Sequence, residues 1–364
     1  MNIIWTSFKK IFCLILILGQ LIFLVGCSNF FNKDKDKEIK PQGKMYFNFF
    51  DTVSNIYSYA GDSEEEFNEN SAYAASILEE YHKLFDIYHE YTDVVNLCTI
   101  NKNAGGKPQK VDDKLIDFLL YAKELYDLTN GKMNIMLGAL LKPWHDARTI
   151  ASASPKDAKL PDKAVLEEAK KHTSISSLVI DKENKTVYIS DKDASLDVGA
   201  IGKGYATEMA GKALEAKGCT SYVLNIGGNI KIIGTKKSGD GWITGIKDPL
   251  NSDYGYAMYL KLADISCVTS GNYERYFTID GVKYHHIIDP DTLYPANYFV
   301  SITIITKNSG LADALSTALF CMSYEDGIKI IENIKNNIED DIDVVWIYED
   351  GSKVTTPGVK EVKN

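Results

Sequence analysis

The chain has 364 residues, 45% hydrophobic and 25% charged, a composition that excludes a disordered or collagen-like polymer and suits one large or two ordinary domains. Its 40 Lys+Arg against 50 Asp+Glu give a formal charge of -10, which argues against the basic stripe of a duplex-DNA binder. No C-x-x-C pair and no H-E-x-x-H spacing occurs, so neither a redox dithiol nor a zinc helix is indicated.

The first 26 residues contain no acid. Lys9 and Lys10 precede an apolar run over residues 11–25, broken only by Gly19 and Gln20. The run is short for a spanning helix, which needs about 20 apolar residues, but fits the h-region of a secretory signal. It closes Leu24-Val25-Gly26-Cys27, which resembles the lipobox of bacterial lipoproteins. That resemblance implies cleavage before Cys27 and acylation of Cys27, with the chain lipid-anchored on the extracytoplasmic face of the cell membrane. An uncleaved anchor with an incidental Cys27 gives the same side of the membrane. Residues 1–26 are therefore expected to be a signal peptide. Residues 27–44, polar and alternating in charge, are expected to be a lipidated Cys and flexible tether. Residues 45–364 form the folded domain. Without Lys9 and Lys10 the balance becomes -12. Cys98, Cys219, Cys267 and Cys321 allow two disulfides or four free thiols.

Strand character over residues 45–60 is followed by apolar residues at helical spacing over 69–91. A second helix runs over 112–128, capped by Asp112 and ended by Asn130-Gly131. Residues 143–161, with Pro143 and Pro161, read as a surface loop. A hairpin over 178–180 and 186–190 precedes a strand at 196–198, a glycine-rich turn and a helix over 203–217. Strands follow near 221–234, 242–247, 256–262, 273–279, 283–288 and 299–306. Helices near 310–321 and 324–335 lead to strands at 342–348 and 353–356. Hairpin turns such as Asp280-Gly281 favour antiparallel pairing, and the mix is α+β rather than regular βαβ.

Four stretches carry chemistry. Asp197-Val198-Gly199-Ala200-Ile201-Gly202-Lys203-Gly204 sets glycines between strand and helix. Such backbone can approach a ligand closely, and a helix N-terminus with a lysine suits phosphate oxygens. It is neither a Walker A loop nor G-x-G-x-x-G, and a tight turn with a surface lysine reads equally well. Gly227-Gly228, after Asn225-Ile226, interrupt an apolar strand and indicate a bulge or a close backbone approach. In His285-His286-Ile287-Ile288-Asp289-Pro290 the adjacent His point to opposite strand faces and cannot chelate one ion. Residues 309–320 form an apolar helix on which Asp313 and Thr317 share a face. A carboxylate there needs a partner, either a hydrogen bond from Thr317 or a hard cation, Mg²⁺ or Ca²⁺.

In this order, D-x-G-x-x-x-K-G, N-x-G-G, H-x-x-D-P and A-D-x-x-x-T resemble the ApbE family of FAD:protein FMN transferases, many of them secreted lipoproteins. The similarity starts at Phe50-Asp51-Thr52 and runs past Thr317. It implies an α+β, T-fold-like architecture of mostly antiparallel sheets with packed helices. It implies Mg²⁺-dependent cleavage of FAD at its pyrophosphate, with FMN passing to a Thr or Ser hydroxyl of an acceptor protein and AMP leaving. By resemblance, Asp197 and Lys203 contact FAD, with Phe50, Met133, Asn134 and Ile287 around it. Ala200, through its carbonyl, Asp313 and Thr317 hold the metal. His286 and Asp313 are the catalytic candidates, and the base is left open between His286 and a carboxylate. The implied partners are FAD, an extracytoplasmic acceptor domain of a membrane redox complex or a secreted flavoprotein, and the membrane, with no nucleic acid. A pyrophosphatase giving FMN and AMP, and a non-catalytic FAD-binding lipoprotein, share these features. Two departures stand out: Met133-Asn134 replaces a Phe-Asp-like pair, and Leu293 replaces the glycine of D-P-x-T-G.

Overall fold

A computed structural model describes residues 40–251, 255–338 and 340–363. The expected signal, Cys27 and the tether as far as residue 39 lie outside the described residues; the expected end of the tether is instead ordered, since residues 42–44 pair with Ser58, Tyr57 and Ile56 as part of an edge strand. The chain from Lys40 onward forms one unit. In order its elements are β1 (Gln42–Tyr46), β2 (Ser54–Ser58), α1 (Glu64–Phe85), α2 (Leu97–Lys102), β3 (Gln109–Lys110), α3 (Asp113–Leu128), α4 (Gly138–Ala153) and α5 (Lys163–Lys170). Then come β4 (Leu178–Asp181), β5 (Thr186–Ile189), α6 (Gly202–Ala216), β6 (Ser221–Ile226), β7 (Asn229–Gly234), β8 (Trp242–Lys247), β9 (Tyr256–Leu262) and β10 (Ser266–Gly271). The chain closes with β11 (Tyr276–Ile279), β12 (Val282–His285), β13 (Ser301–Thr306), α7 (Ser309–Phe320), α8 (Tyr324–Asn337), β14 (Asp343–Ile347) and β15 (Lys353–Thr355).

An eight-stranded sheet of order β1-β2-β6-β7-β10-β13-β14-β15 organises this unit, and every neighbouring pair is antiparallel. The central strand β13 is buried along its whole length. Alternation explains how both its faces are covered. Ile302 and Ile304 enter the main core with residues of α1, α3, α6 and α7. Ile305 enters a second cluster with Ile246, Met258 and Leu260 of the β8–β9 hairpin.

Most expected elements are present, and four differences have physical causes. Helix α1 begins at Glu64 because Ser63 accepts a hydrogen bond from Glu66 N at 3.2 Å. It stops at Phe85 because the Asp86 carboxylate accepts from the amides of Tyr88 and His89, at 2.7 and 3.0 Å, and turns the chain. The expected loop over 143–161 is largely helix α4, which runs through Pro143. Its buried stripe of Leu140, Trp144, Ala147 and Ala151 outweighs the helix-breaking proline. Strand β10 went unread because half of it is polar. Thr269 pairs with Thr303 at 2.8 Å and Ser270 with Ser316 at 2.7 Å. The expected strand at 196–198 is extended but joins no ladder. Asn101 holds both backbone groups of Leu196, and Asp197 N donates to Ile135 O at 2.8 Å. All four described cysteines are free.

Gly227-Gly228 form the two-residue turn of the β6–β7 hairpin rather than a bulge, with φ of 56° and 91°. A Cβ at Gly227 would lie 2.5 Å from Thr52 Oγ1, whereas one at Gly228 would meet nothing within 4 Å. Both alanine substitutions carry the left-handed cost of about 1–2 kcal/mol. Gly227→Ala adds steric overlap, so its urea midpoint is expected to fall clearly below that of Gly228→Ala. Equal midpoints would contradict this packing.

Candidate functional site

Two helix N-termini meet where α6 crosses α7. The N-terminus of α6 carries Lys203 and Gly204, and α7 carries Asp313. A Cβ on Gly204 would sit 2.4 Å from both Asp313 Cβ and Ser309 O, so only glycine permits this approach. Across the contact Gly204 N donates to Asp313 Oδ2 at 2.8 Å, and Lys203 Nζ stands 3.8 Å from the same oxygen. A second tie lies deeper. The buried Glu208 carboxylate accepts from Ser309 N at 2.8 Å and pairs with Lys231 Nζ at 3.3 Å. Lys231 in turn donates to Lys307 O at 3.1 Å.

Burial raises the Asp313 carboxyl above its ordinary range, against the opposing pull of Lys203 and the Gly204 amide. Its Oδ1 accepts no hydrogen bond among the described residues, nor does the hydroxyl of half-buried Thr317, one turn on. Among the described residues, no backbone amide outside the helix bonds Ala200 O, in the turn ahead of α6. A buried carboxylate, a hydroxyl and a carbonyl, each with an uncommitted oxygen, form a donor set that fits a hard divalent cation. Among the described residues, the one cluster of His, Asp or Glu with closely spaced ligand atoms is elsewhere, at His172, Asp191 and Asp193. There His172 Nδ1 is committed to Asp191 at 2.7 Å.

The other expected residues fall on several elements. Asp197 Oδ1 accepts from Gly199 N at 2.9 Å, closing the loop before α6. Phe50 takes φ of 53° in the β1–β2 turn, edge-on to His82 at 5.5 Å. Met133 is wholly buried. The Asn134 amide is spent on Thr173 O and Met136 N, at 2.9 and 2.8 Å. Ile287 is buried in the main core. His285 and His286 part as alternation requires. His285 is buried against Ala296 O at 2.7 Å, while His286 is half-buried with Nδ1 3.2 Å from Arg275 O. Burial, then Arg275, His285, Arg148 and Lys203, pull the His286 imidazole down to about 3. Leu293 adopts φ of 69°, so the turn keeps the shape that a glycine would give it. Its carbonyl is fixed by Trp144 Nε1 at 3.0 Å.

Sequence reading missed the cations beside His286. Arg148 and His145 on α4 act electrostatically on one another and on Asp197, and Arg275, just before β11, acts on both. The available signal was compositional, since these are the chain's two arginines.

Asp313 yields a pH-dependent prediction. The folded state holds the Asp313 proton more tightly than the unfolded chain. The burial penalty is therefore absent below the ordinary carboxylate range and grows as pH rises through the raised folded value. In chelator, Asp313→Asn keeps an oxygen for Gly204 N. It is expected to raise the urea midpoint at neutral pH, with the gain shrinking as pH is lowered. An equal or lower midpoint at neutral pH would contradict this.

The sequence profile of the ApbE family matches residues 50–341. A Treponema pallidum (strain Nichols) protein named FAD:protein FMN transferase is 32% identical over 278 residues, 72% of this chain and 73% of its own. A Vibrio cholerae protein of the same name is 29% identical over 260 residues, 70% of this chain and 74% of its own. The crystal structure of the ApbE protein from Thermotoga maritima superposes with a TM-score of 0.74 at 27% identity, covering 87% of this chain and 97% of that one.

Proposed function

We propose, from the premise that this chain belongs to the ApbE family, that it is an FAD:protein FMN transferase. In this reading the unit from Lys40 onward forms the catalytic domain, held by an acylated Cys27 and the tether that follows it on the extracytoplasmic face of the membrane after loss of residues 1–26. Its acceptor is the exposed domain of a membrane redox complex or a secreted flavoprotein. The observation that carries the reading is the buried Asp313 carboxylate at the α6 N-terminus, with an oxygen to spare beside Thr317.

The reaction joins an acceptor hydroxyl oxygen to the flavin-side phosphorus of FAD. The bond from that phosphorus to the bridging oxygen breaks, its electron pair departs with AMP, and the hydroxyl proton passes to a base. Charge on the phosphates is the main obstacle in a chain of net charge -10. Lys203 and the amides opening α6 offer positive potential to those oxygens. A magnesium ion held by Asp313, Thr317 and the Ala200 carbonyl would supply further positive charge to the same oxygens. Asp197 closes the loop that presents Lys203. His286 alone is a poor proton acceptor, held down to about 3 by burial and its cationic neighbours. A bound polyanion opposes the effect of those cations and moves the ring upward, while the larger effect of burial remains, so His286 and a carboxylate both stay candidates for the base.

The test is full-length protein in detergent with FAD, Mg²⁺ and a candidate acceptor domain. Covalent flavin fluorescence on the acceptor in a denaturing gel is expected. AMP release without labelling would replace transfer with hydrolysis, and FAD binding with neither product would leave a receptor. Asp313→Ala is expected to abolish labelling while unfolding stays cooperative, and unchanged turnover would remove Asp313 from the site. Lys203→Ala is expected to raise KM for FAD by about ten-fold or more, and an unchanged KM would overturn its assignment to the phosphates.

A further inference from the structure

The chain holds 38 lysines and only two arginines, Arg148 and Arg275, which stand 127 positions apart. The fold places both beside His286. Helix α4 docks on the β11–β12 hairpin through Trp144, whose ring stacks on Tyr284 at 6.3 Å and meets Phe277 at 6.5 Å. Arg148 follows Trp144 by one helical turn. Arg275 directly precedes β11, where Tyr276 pairs with His285. Its carbonyl accepts from His286 N at 3.1 Å. Both guanidiniums act on His286 and His145, and each acts on the other.

Like charges brought together cost stability unless something else calls for them. Among the described residues neither arginine has an ion pair, although the chain carries 50 carboxylates. The nearby acid, Asp197, already accepts from Gly199 N. Nor does the placement reflect a general need for positive charge, which lysine fills everywhere else in the chain. Arginine differs from lysine in its rigid planar fork, which matches two oxygens of a phosphate.

We infer that Arg148 and Arg275 form a guanidinium clamp for the adenylate phosphate of the substrate, the phosphate that leaves with AMP. This rests on the transferase reading and names the residues that serve its leaving group. When the acceptor oxygen bonds to the flavin-side phosphorus, the electron pair of the broken P–O bond stays on the adenylate phosphate. In this proposal the two forks take up the charge that builds there.

The test measures binding of AMP and, separately, FMN to full-length protein in detergent, for wild type, Arg148→Gln, Arg275→Gln and Arg148→Lys. The Gln variants are expected to bind AMP about ten-fold or more weakly, with FMN affinity within about two-fold of wild type. Arg148→Lys is expected to recover less than half of the lost affinity on a logarithmic scale, because it keeps the charge but not the fork. Thermal unfolding checks that the variants fold. AMP affinity unchanged in both Gln variants overturns the proposal, as does an equal fall for AMP and FMN. Unchanged AMP affinity with a raised KM for the acceptor assigns the pair to the acceptor and also overturns it. Wild type that binds AMP through these arginines but labels no acceptor would sink the transferase reading and leave the clamp standing.

Discussion

The close passage of α6 over α7 at Gly204 is the contact on which the site depends. A single methyl group there would overlap Asp313 Cβ and Ser309 O. Without it, the α6 N-terminus reaches the Asp313 carboxylate directly, and Lys203 follows. The contact is reinforced below by the buried Glu208–Lys231 pair, which also grips Ser309 N and Lys307 O. Gly211 gives the Lys231 stem its room, since a Cβ there would lie 3.0 Å from Lys231 Cγ. Breaking one partner of such a buried pair costs far more than the pair contributes net, so the lock resists partial change.

The sheet supplies the floor for this junction. Ser270 of β10 bonds Ser316 of α7, and Ser316 also reaches Asp313 O at 2.9 Å. The strand that resists sequence reading is thus the one beneath the helix face that carries Asp313. On another side, α4 and the β11–β12 hairpin bring forward Arg148, Arg275 and His286. Asp313 therefore lies by Lys203, and Asp197 by Arg148, in a chain that is otherwise acidic. This arrangement suits a ligand that carries concentrated negative charge and needs a divalent cation beside it.

Motif residues were legible where chemistry and local geometry coincide. Asp313 and Thr317 fall on one helix face by spacing alone, and Asp112, Gly131 and the β6–β9 strand pattern follow from capping and alternation. What stayed hidden depended on contacts between distant segments. Pro143 suggested a loop because the stripe that holds α4 finds its partners in Phe277, Ile288 and Leu293, far along the chain. The Gly227-Gly228 turn looked like a bulge because both flanking strands are apolar. Leu293 looked like a lost turn residue, yet a hydrogen bond from Trp144 and burial hold it at positive φ. The two arginines carried no local motif, and only folding makes them neighbours.

The most direct measurement is anomalous diffraction from crystals of the protein grown with Mn²⁺ as a stand-in for Mg²⁺. The account predicts one strong peak about 2.0–2.3 Å from Asp313 Oδ1, Thr317 Oγ1 and Ala200 O, with Gly204 N still on Asp313 Oδ2. A peak at His172, Asp191 and Asp193 with none at Asp313, or no peak at saturating metal, would contradict it.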